Sequence, residues 1–351
     1  TIVTITVAGE KVVVTATPAP TSTPAPTAVT TRKPTGTLNV VSNLGNEQFV
    51  LRLQPPTAMM LISDPLVWWD WSADGPTNEA ILQDWSYTIN ADGSVDWVWN
   101  IKPGVKFAKG WGEVTSTDIK FTMTEHLKEG TVNANRRHFG NWYGGDPNNL
   151  DDSDPLVLKL HQTEKFNVVE QWRVMSAEES RNLRPMPKAY MDKVGEEAFN
   201  AAPVYAGAYE FVSQQRGYDV VFTAVDDHYR VTPGFETVHF FKVLDLATKI
   251  SMLRTGQIDI GTLPGRLAAE VEAAGVDIMV SKNSVEPFIQ FGGLFPDNPN
   301  YDPDHPWTTD TPLEGSAVEV RKAFNYAIDR EAILDKILFG FGEIGIIPFS
   351  F

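Results

Sequence analysis

The chain has 351 residues, of which 42% are hydrophobic, and it contains ten tryptophans and no cysteine. This length and composition predict a globular protein with more than one core, and no run of about 18 apolar residues could span a membrane. The formal net charge of −16 argues against nucleic-acid binding, which needs clustered Lys and Arg, and favours solubility. The lack of cysteine excludes disulfides and thiolate metal sites.

The first 35 residues differ from the rest of the chain. Residues 18–26 read PAPTSTPAP, a composition that forms an extended, solvated spacer and no core. We therefore expect residues 1–35 to be a disordered Thr/Pro-rich tether, with an ordinary disordered tail as the alternative. Because the chain starts at Thr1 without Met or a signal peptide, we interpret it as a processed or trimmed form.

Two stretches follow before the central part of the chain. Residues 36–41 predict the first strand. Residues 62–70 read ISDPLVWWD and begin a cluster of tryptophans at Trp68, Trp69 and Trp71. Such a cluster is more often packed in a core or domain interface than used as a ligand platform.

Residues 80–124 predict a fixed order of elements. Aromatic and β-branched residues alternate with polar ones around Trp85 and again around Trp99, which is typical of two half-buried strands. Asn90 to Gly93 supply a hairpin turn, and residues 105–107 can add a third short strand. Thr115 and Asp118 form a capping box that opens a helix.

Residues 130–154 are polar and irregular, and a solvated loop is the favoured interpretation. The acidic residues between 146 and 154 lack the spacing of a helix–loop–helix calcium site. Aromatic side chains on a long loop need a partner or a function. We therefore expect Phe139, Trp142 and Tyr143 to line a cleft.

The second half alternates strands and helices. Residues 156–160, 218–224, 237–243 and 257–260 predict strands, and residues 247–256 predict a helix that stops at Gly256. Residues 320–338 have the spacing of a buried amphipathic helix pair, with Asp329 capping the second helix.

No catalytic or metal-binding pattern is present. The six histidines have no metal-ligand spacing, and neither a nucleophile elbow nor an HExxH motif occurs. We expect no catalytic residues, no metal and no cofactor, so the chain is predicted not to be an enzyme. A secreted hydrolase and a purely structural surface protein are the less favoured alternatives.

Several of these motifs resemble those of one family, the solute-binding proteins of the oligopeptide, dipeptide and nickel ABC importers. The resemblance extends from about residue 36 to residue 351, through motifs in the family's order. The matching segments are the ISDPLV stretch with Asp64 where Glu is usual, the GVKF segment at 104–107, the segment at 202–212, the GQIDI stretch at 256–260, and VRKAFNYAIDREAI at 320–333.

The resemblance implies an α/β, two-lobed fold like that of periplasmic binding proteins, of type II and of the three-domain oligopeptide-receptor variety, with mixed sheets. It implies that residues 36–62 and 165–280 form a discontinuous domain I and that residues 63–164 form domain II. Residues 284–351 would form the start of domain III, which would be truncated. A shortened lobe would leave apolar side chains such as Phe324, Ile328 and Ile337 uncovered, weaken peptide binding and favour association.

The function that the resemblance implies is an ABC importer's receptor, which captures oligopeptides outside the cytoplasmic membrane and delivers them to the permease. An oligosaccharide is the alternative ligand, because ten tryptophans offer flat faces to sugar rings. The protein is expected to be extracytoplasmic, anchored by a lipid in a bacterium, and monomeric. The expected ligand-binding residues are Asp64, Pro65, Leu66, Phe139, Trp142 and Tyr143.

Overall fold

The computed structural model describes residues 33–45, 48–53, 56, 58–70, 75–133, 136–163, 183–280, 291–292, 296, 299–308 and 315–344. Most of the expected tether and Trp71 therefore lie outside the described residues. No helix among the described residues is both long enough and apolar enough to cross a membrane.

The strands, numbered in chain order, are β1 (Thr37–Val41), β2 (Trp68–Asp70), β3 (Gly75–Thr77), β4 (Leu82–Ile89), β5 (Val95–Ile101), β6 (Leu150–Asp154), β7 (Val157–Gln162), β8 (Tyr209–Gln215), β9 (Asp219–Ala224), β10 (Thr237–Phe241) and β11 (Ile260–Gly261). The helices are α1 (Met59–Ile62), α2 (Ser116–Glu125), α3 (Arg136–Tyr143), α4 (Lys188–Ala201), α5 (Leu246–Arg254), α6 (Ala268–Ala273), α7 (Ser316–Ala327) and α8 (Arg330–Lys336).

One antiparallel sheet has the strand order β4-β5-β7-β6. Its β4–β5 hairpin confirms the predicted strand pair, with Trp85 opposite Trp99 and the turn closed by the N–H of Asn90 donating to the carbonyl of Ser94 at 2.8 Å. Trp97 and Trp99 are buried because alternate residues of β5 face the core. The third strand predicted at 105–107 is reduced to a single bridge between Lys106 and Glu113.

The capping box at the start of α2 is confirmed. The backbone N–H of Thr115 donates to Oδ2 of Asp118 at 3.0 Å, and the Thr115 hydroxyl donates to the same oxygen at 2.7 Å. The other oxygen of Asp118 accepts the backbone N–H of Lys188 at 2.9 Å. One carboxylate therefore starts α2 and also fixes the start of α4.

The second sheet has the order β11-β1-β10-β9-β8, in which β1 is parallel to β10 and β9 is antiparallel to both β8 and β10. It combines a strand from the beginning of the described chain with strands after residue 208. The same stretches were expected to form the discontinuous domain I, whereas β4 to β7 lie within the expected domain II. The strand predicted at 257–260 is shorter, and β11 comprises only Ile260–Gly261.

The solvated loop predicted between residues 130 and 154 is wrong. This stretch contains α3, a short 3₁₀ turn at Pro147–Asn149 and the edge strand β6. Phe139, Trp142 and Tyr143 lie at positions i, i+3 and i+4 of α3, so all three reach the same face of the helix. That face is buried.

The chain divides into two compact units, the first comprising residues 1–244 and 258–260 and the second residues 245–257 and 261–351. The main hydrophobic core lies in the first unit and includes side chains from Leu44 to Val238. The break after residue 244 differs from the expected start of domain III near residue 284, and the domain assignment stays a prediction.

The second unit contains α5 to α8. Asp329 caps α8 as predicted, because its Oδ1 accepts the N–H of Ala332 at 2.9 Å. The burial predicted from helical spacing is wrong for Phe324 and Ile337, and the expectation that these side chains are uncovered is the one that agrees. Phe324 is 46% and Ile337 65% exposed.

Candidate functional site

Several buried polar side chains among the described residues contact Asp64, the acidic residue of the ISDPLV stretch. Helix α1 ends at Ile62, and Ser63 is extended, with φ −136° and ψ 127°. Pro65 also keeps the next residue out of the helix, because proline disfavours the helical conformation of the residue before it, which is Asp64. Asp64 is 2% exposed, so its carboxylate must be paired inside the protein.

The partners of Asp64 come from the connection between β9 and β10. Arg230 donates from Nη2 to Oδ1 at 2.8 Å and from Nε to Oδ2 at 3.1 Å, and the hydroxyl of Tyr229 donates to Oδ2 at 2.7 Å. A two-point arginine fork of this kind is strong and fixes orientation. Burial and the neighbouring carboxylate raise the pKa of Tyr229, so its hydroxyl stays protonated and remains a donor.

Further basic side chains surround the Asp64–Arg230 pair. Arg184 is 1% exposed and donates from Nη1 to the carbonyl oxygen of Ser63, and burial lowers its pKa to about 10. Lys102 donates to the carbonyl of Ala80 at 2.6 Å, and burial lowers its pKa. His228 places Nε2 at 3.4 Å from Oδ2 of Asp64. We call Asp64, Arg184, His228, Tyr229 and Arg230 the Asp64 cluster.

The segment next to Asp64 is held by direct backbone contact. A Cβ atom on Gly207 would lie 2.2 Å from the carbonyl carbon of Ile62 and 2.4 Å from the backbone nitrogen of Ser63. Only glycine permits this approach. The neighbouring Tyr205 is buried and donates its hydroxyl hydrogen to the carbonyl of Phe49 at 2.5 Å.

Pro65 and Leu66 are buried beside the start of β4. The N–H of Leu82 donates to the carbonyl of Leu66 at 2.8 Å, and that of Ile81 donates to Pro65 at 3.3 Å. Trp68, which follows on β2, is half-buried. Its ring stacks against the guanidinium of Arg230, whose Cζ lies 4.4 Å from the ring centre. These contacts favour the packing interpretation of Trp68.

The other three predicted site residues lie apart from Asp64, on the buried face of α3. Trp142 packs against Trp99 with ring centres 5.0 Å apart, and Phe139 contacts the ring of His126 at 4.0 Å. The hydroxyl of Tyr143 donates to the carbonyl of Met123 at 3.3 Å, and burial raises its pKa to about 12. Their predicted contact with a ligand stays a prediction, which this burial does not support.

The partners of Asp64 were not identified from the sequence. A carboxylate within the apolar ISDPLV run indicates that a buried cation must exist. It does not indicate which of 29 Lys and Arg residues supplies it.

No cation site is formed by the described side chains, because no group of three or more His, Asp or Glu residues is placed to hold a metal ion. A shallow depression of about 270 Å³ lies on the outer face of the β4-β5-β7-β6 sheet. Its charged groups are paired with one another, His161 with Asp96 at 2.6 Å and Lys159 with Asp151 at 3.8 Å.

Comparison with known proteins identifies the family. The family described as bacterial extracellular solute-binding proteins, family 5 Middle, matches residues 71–350. The oligopeptide-binding protein AppA of Bacillus subtilis is 22% identical over 269 residues, which cover 74% of this chain and 44% of AppA. The chain thus spans less than half the length of this curated relative.

Solved structures share the fold. AppA in complex with a nonapeptide matches with a TM-score of 0.64 and 20% identity, covering 91% of this chain and 58% of that one. An ABC transporter substrate-binding protein from Sinorhizobium meliloti matches with a TM-score of 0.62 and 20% identity, covering 90% and 59%. AgaA of A. tumefaciens R10 in complex with agropinic acid matches with a TM-score of 0.55 and 23% identity, covering 67% and 45%.

These matches confirm the family resemblance and the mixed α/β fold that it implied. The order of motifs, the two larger sheets and the family match over residues 71–350 agree. The chain belongs to the bacterial extracellular solute-binding proteins of family 5.

Proposed function

We propose that the protein is the solute-capturing receptor of an ABC importer and that its solute is an oligopeptide. The observation that carries this proposal is the similarity to AppA, whose structure with a bound nonapeptide matches 91% of this chain. A receptor of this kind binds and releases its solute without chemistry. The proposal therefore includes that the protein is not an enzyme.

The Asp64 cluster supports the proposal that one wall of the binding cleft is held rigidly. Binding is stronger when the groups that meet the ligand are held in place before it arrives, because less conformational entropy is then lost. The oxygens of Asp64 are occupied by Arg230 and Tyr229. We propose that Asp64, Pro65 and Leu66 border the solute-binding cleft and that Asp64 acts by holding this segment in position.

Phe139, Trp142 and Tyr143 have a supporting role in this proposal. They lie behind β5 and β7, where they contact Trp97, Trp99 and His126. Large aromatic side chains packed in this way stabilise the sheet. Their contribution to binding would be indirect.

The proposed partners and location follow the family. The receptor would act outside the cytoplasmic membrane, deliver the peptide to the permease subunits, and work as a lipid-anchored monomer. A charge of −16 supports solubility outside the cell and disfavours binding to nucleic acid.

A non-peptide solute is the alternative. AgaA, with a similar fold, was solved in complex with agropinic acid, so this fold does not require a peptide. An oligosaccharide also stays an alternative, since exposed aromatic faces suit sugar rings.

The test is calorimetry on the complete natural protein. Three ligand sets would be titrated separately: mixed peptides from tripeptide to nonapeptide length, mixed oligosaccharides, and agropinic acid. We expect the peptide pool to bind with a Kd in the micromolar range or tighter, about −8 kcal/mol or better. Binding of only another set, or of none, would contradict the peptide proposal. Mass spectrometry of co-purifying small molecules would identify the solute independently.

A further inference from the structure

The contacts of His228 inside the Asp64 cluster define which tautomer its neutral imidazole adopts. Its side chain is 4% exposed. Its Nδ1 accepts the backbone N–H of Val231 at 3.3 Å, while Nε2 lies 3.4 Å from Oδ2 of Asp64. Because Nδ1 is an acceptor, the single ring hydrogen of the neutral side chain sits on Nε2, facing the carboxylate.

A second proton can enter only at Nδ1. Protonated Nδ1 is a donor, and it would point at the N–H of Val231, which is also a donor. The hydrogen bond between them would be lost. The cationic ring is therefore incompatible with the present geometry of residues 228–231, and this turn must change conformation to accept the proton.

The turn that would move carries the partners of Asp64. Tyr229 and Arg230 lie between His228 and Val231, and they supply all three hydrogen bonds to the carboxylate given above. The charged groups that act on His228 are Asp64 and Arg230, and its ring contacts that of Tyr229, while Arg184 and Lys102 act on Asp64. A protonated His228 would add another cation to three that already share one buried carboxylate.

We propose that His228 is an acid-sensitive switch whose protonation at Nδ1 releases the 228–231 turn from Asp64 and loosens residues 62–66. This inference concerns the protein alone and does not depend on the identity of the solute.

The direction of the effect follows from proton linkage. Burial lowers the pKa of His228 below its ordinary value of 6.5, and Asp64 offsets this in part. The opened turn therefore binds the proton more tightly than the closed turn does. Opening becomes more favourable as the pH falls below about 6.5, by up to about tenfold per pH unit for one proton.

Amide hydrogen exchange with mass spectrometry tests the switch. Protection factors, corrected for the intrinsic pH dependence of exchange, would be measured from about pH 7.5 to about pH 5.5. We expect peptides covering residues 60–68 and 225–232 to lose protection about tenfold in the wild-type protein. Peptides from β5 and β7 report any global acid destabilisation, to which the buried His126 contributes, and the loss in the two segments is measured relative to them.

Two variants separate His228 from other histidines. His228→Asn places an amide oxygen where Nδ1 accepts from Val231 and cannot be protonated in this range, so the acid-induced loss should disappear. His161→Asn removes an exposed histidine and should behave as wild type. The proposal is overturned by an unchanged wild-type profile, or by the same loss in His228→Asn. If that variant does not fold, a wild-type loss in the two segments greater than that in β5 and β7 supports the proposal, and a loss no greater than theirs refutes it.

Discussion

At Gly207, two backbone segments approach so closely that a side chain has no room. A Cβ would lie 2.2 to 2.5 Å from backbone atoms of Ile62 and Ser63, and backbone cannot move aside as a flexible side chain can. We expect Gly207→Ala to destabilise the protein by about 3 kcal/mol, the upper end for overpacking, in urea unfolding. Gly234→Ala is the matched control, since nothing lies within 4 Å of its added Cβ. Equal stability of the two variants would contradict the close approach.

Asp64 is predicted to contribute strongly to stability. Asp64→Asn keeps the size of the side chain but removes the charge that pairs Arg230 and faces Arg184. Breaking a buried ion pair in this way leaves an uncompensated cation, and we expect a loss of about 3–5 kcal/mol in the free energy of unfolding.

Asp96→Asn provides the contrast with Asp64→Asn. Asp96 pairs with His161 on the surface, where side-chain exposures are 54% and 43%. Exposed pairs contribute about 0–1 kcal/mol. A loss at Asp64 no larger than that at Asp96 would mean that the buried cluster does not hold the fold together.

His126 gives the folded protein a dependence on acid. It is buried, its Nδ1 donates to the carbonyl of Thr122 at 2.7 Å, and burial lowers its pKa from 6.5 to about 4. The unfolded chain therefore takes up the proton first, and stability present above about pH 6.5 is lost as the pH falls towards 4. His126→Gln should remove up to about 3 kcal/mol of this loss, measured by urea unfolding at both ends of the range.

The control for His126 is His161→Gln, which removes an exposed histidine. The comparison between variants isolates one histidine from the others. An acid dependence that is the same in His126→Gln and wild type would show that His126 is not the titrating group.

Single residues were the hardest feature to predict from the sequence. The ISDPLV motif indicated that Asp64 matters, and the structure places it in the interior. Its partners could not be predicted, because Arg230 and Tyr229 lie 166 and 165 positions away. Pairings at such distances are set by how the sheets assemble, which a local pattern does not contain.

Among the secondary-structure elements, α2 depends on its first turn. Thr115→Ala removes the hydroxyl of the capping box, and we expect a loss of about 1 kcal/mol in the free energy of unfolding. Thr115→Ser keeps the hydroxyl and should stay close to wild type. If alanine and serine are equally tolerated, the hydroxyl does not stabilise the helix, and the carboxylate of Asp118 alone begins it.

Elements with strong local patterns were predicted well. The β4–β5 hairpin follows from strict alternation around a turn, and α2 follows from its cap. Helix α3 was missed because its sequence, RRHFGNWY, has a glycine and polar residues. The spacing of Phe139, Trp142 and Tyr143 could have identified it, since three aromatics at i, i+3 and i+4 indicate one helical face.

For the whole molecule, burial is distributed unevenly between the two units. The hydrophobic core belongs to the first unit, while α7 has one buried residue, Ala317, and α8 has none. Local stability follows buried contacts. We therefore expect amides of α7 and α8 to exchange with hydrogen much faster than those of α2, β5 and β7. Equal protection in both units would contradict this prediction.

The fold as a whole was predicted from the motifs and their order more surely than from any single element. Several short motifs in one sequence order pointed to the family, and the family carried the mixed sheets with it. The exposure of side chains in the second unit, such as Tyr326, which is 82% exposed, was predicted less surely than the fold. Helical spacing shows which residues share a face, but it does not show whether another element covers that face.

The central position of β1 affects the order in which this protein can fold. β1 lies between β11 and β10, and Asn39 pairs with Asp259, 220 positions further along the chain. A ribosome adding about 5–20 residues per second needs tens of seconds to make that distance. β1 has no strand partner until β10, which pairs with it, has been made, whereas the β4–β5 hairpin can already close. β1 therefore joins its sheet after that hairpin can form, and closing so large a loop makes this step slow.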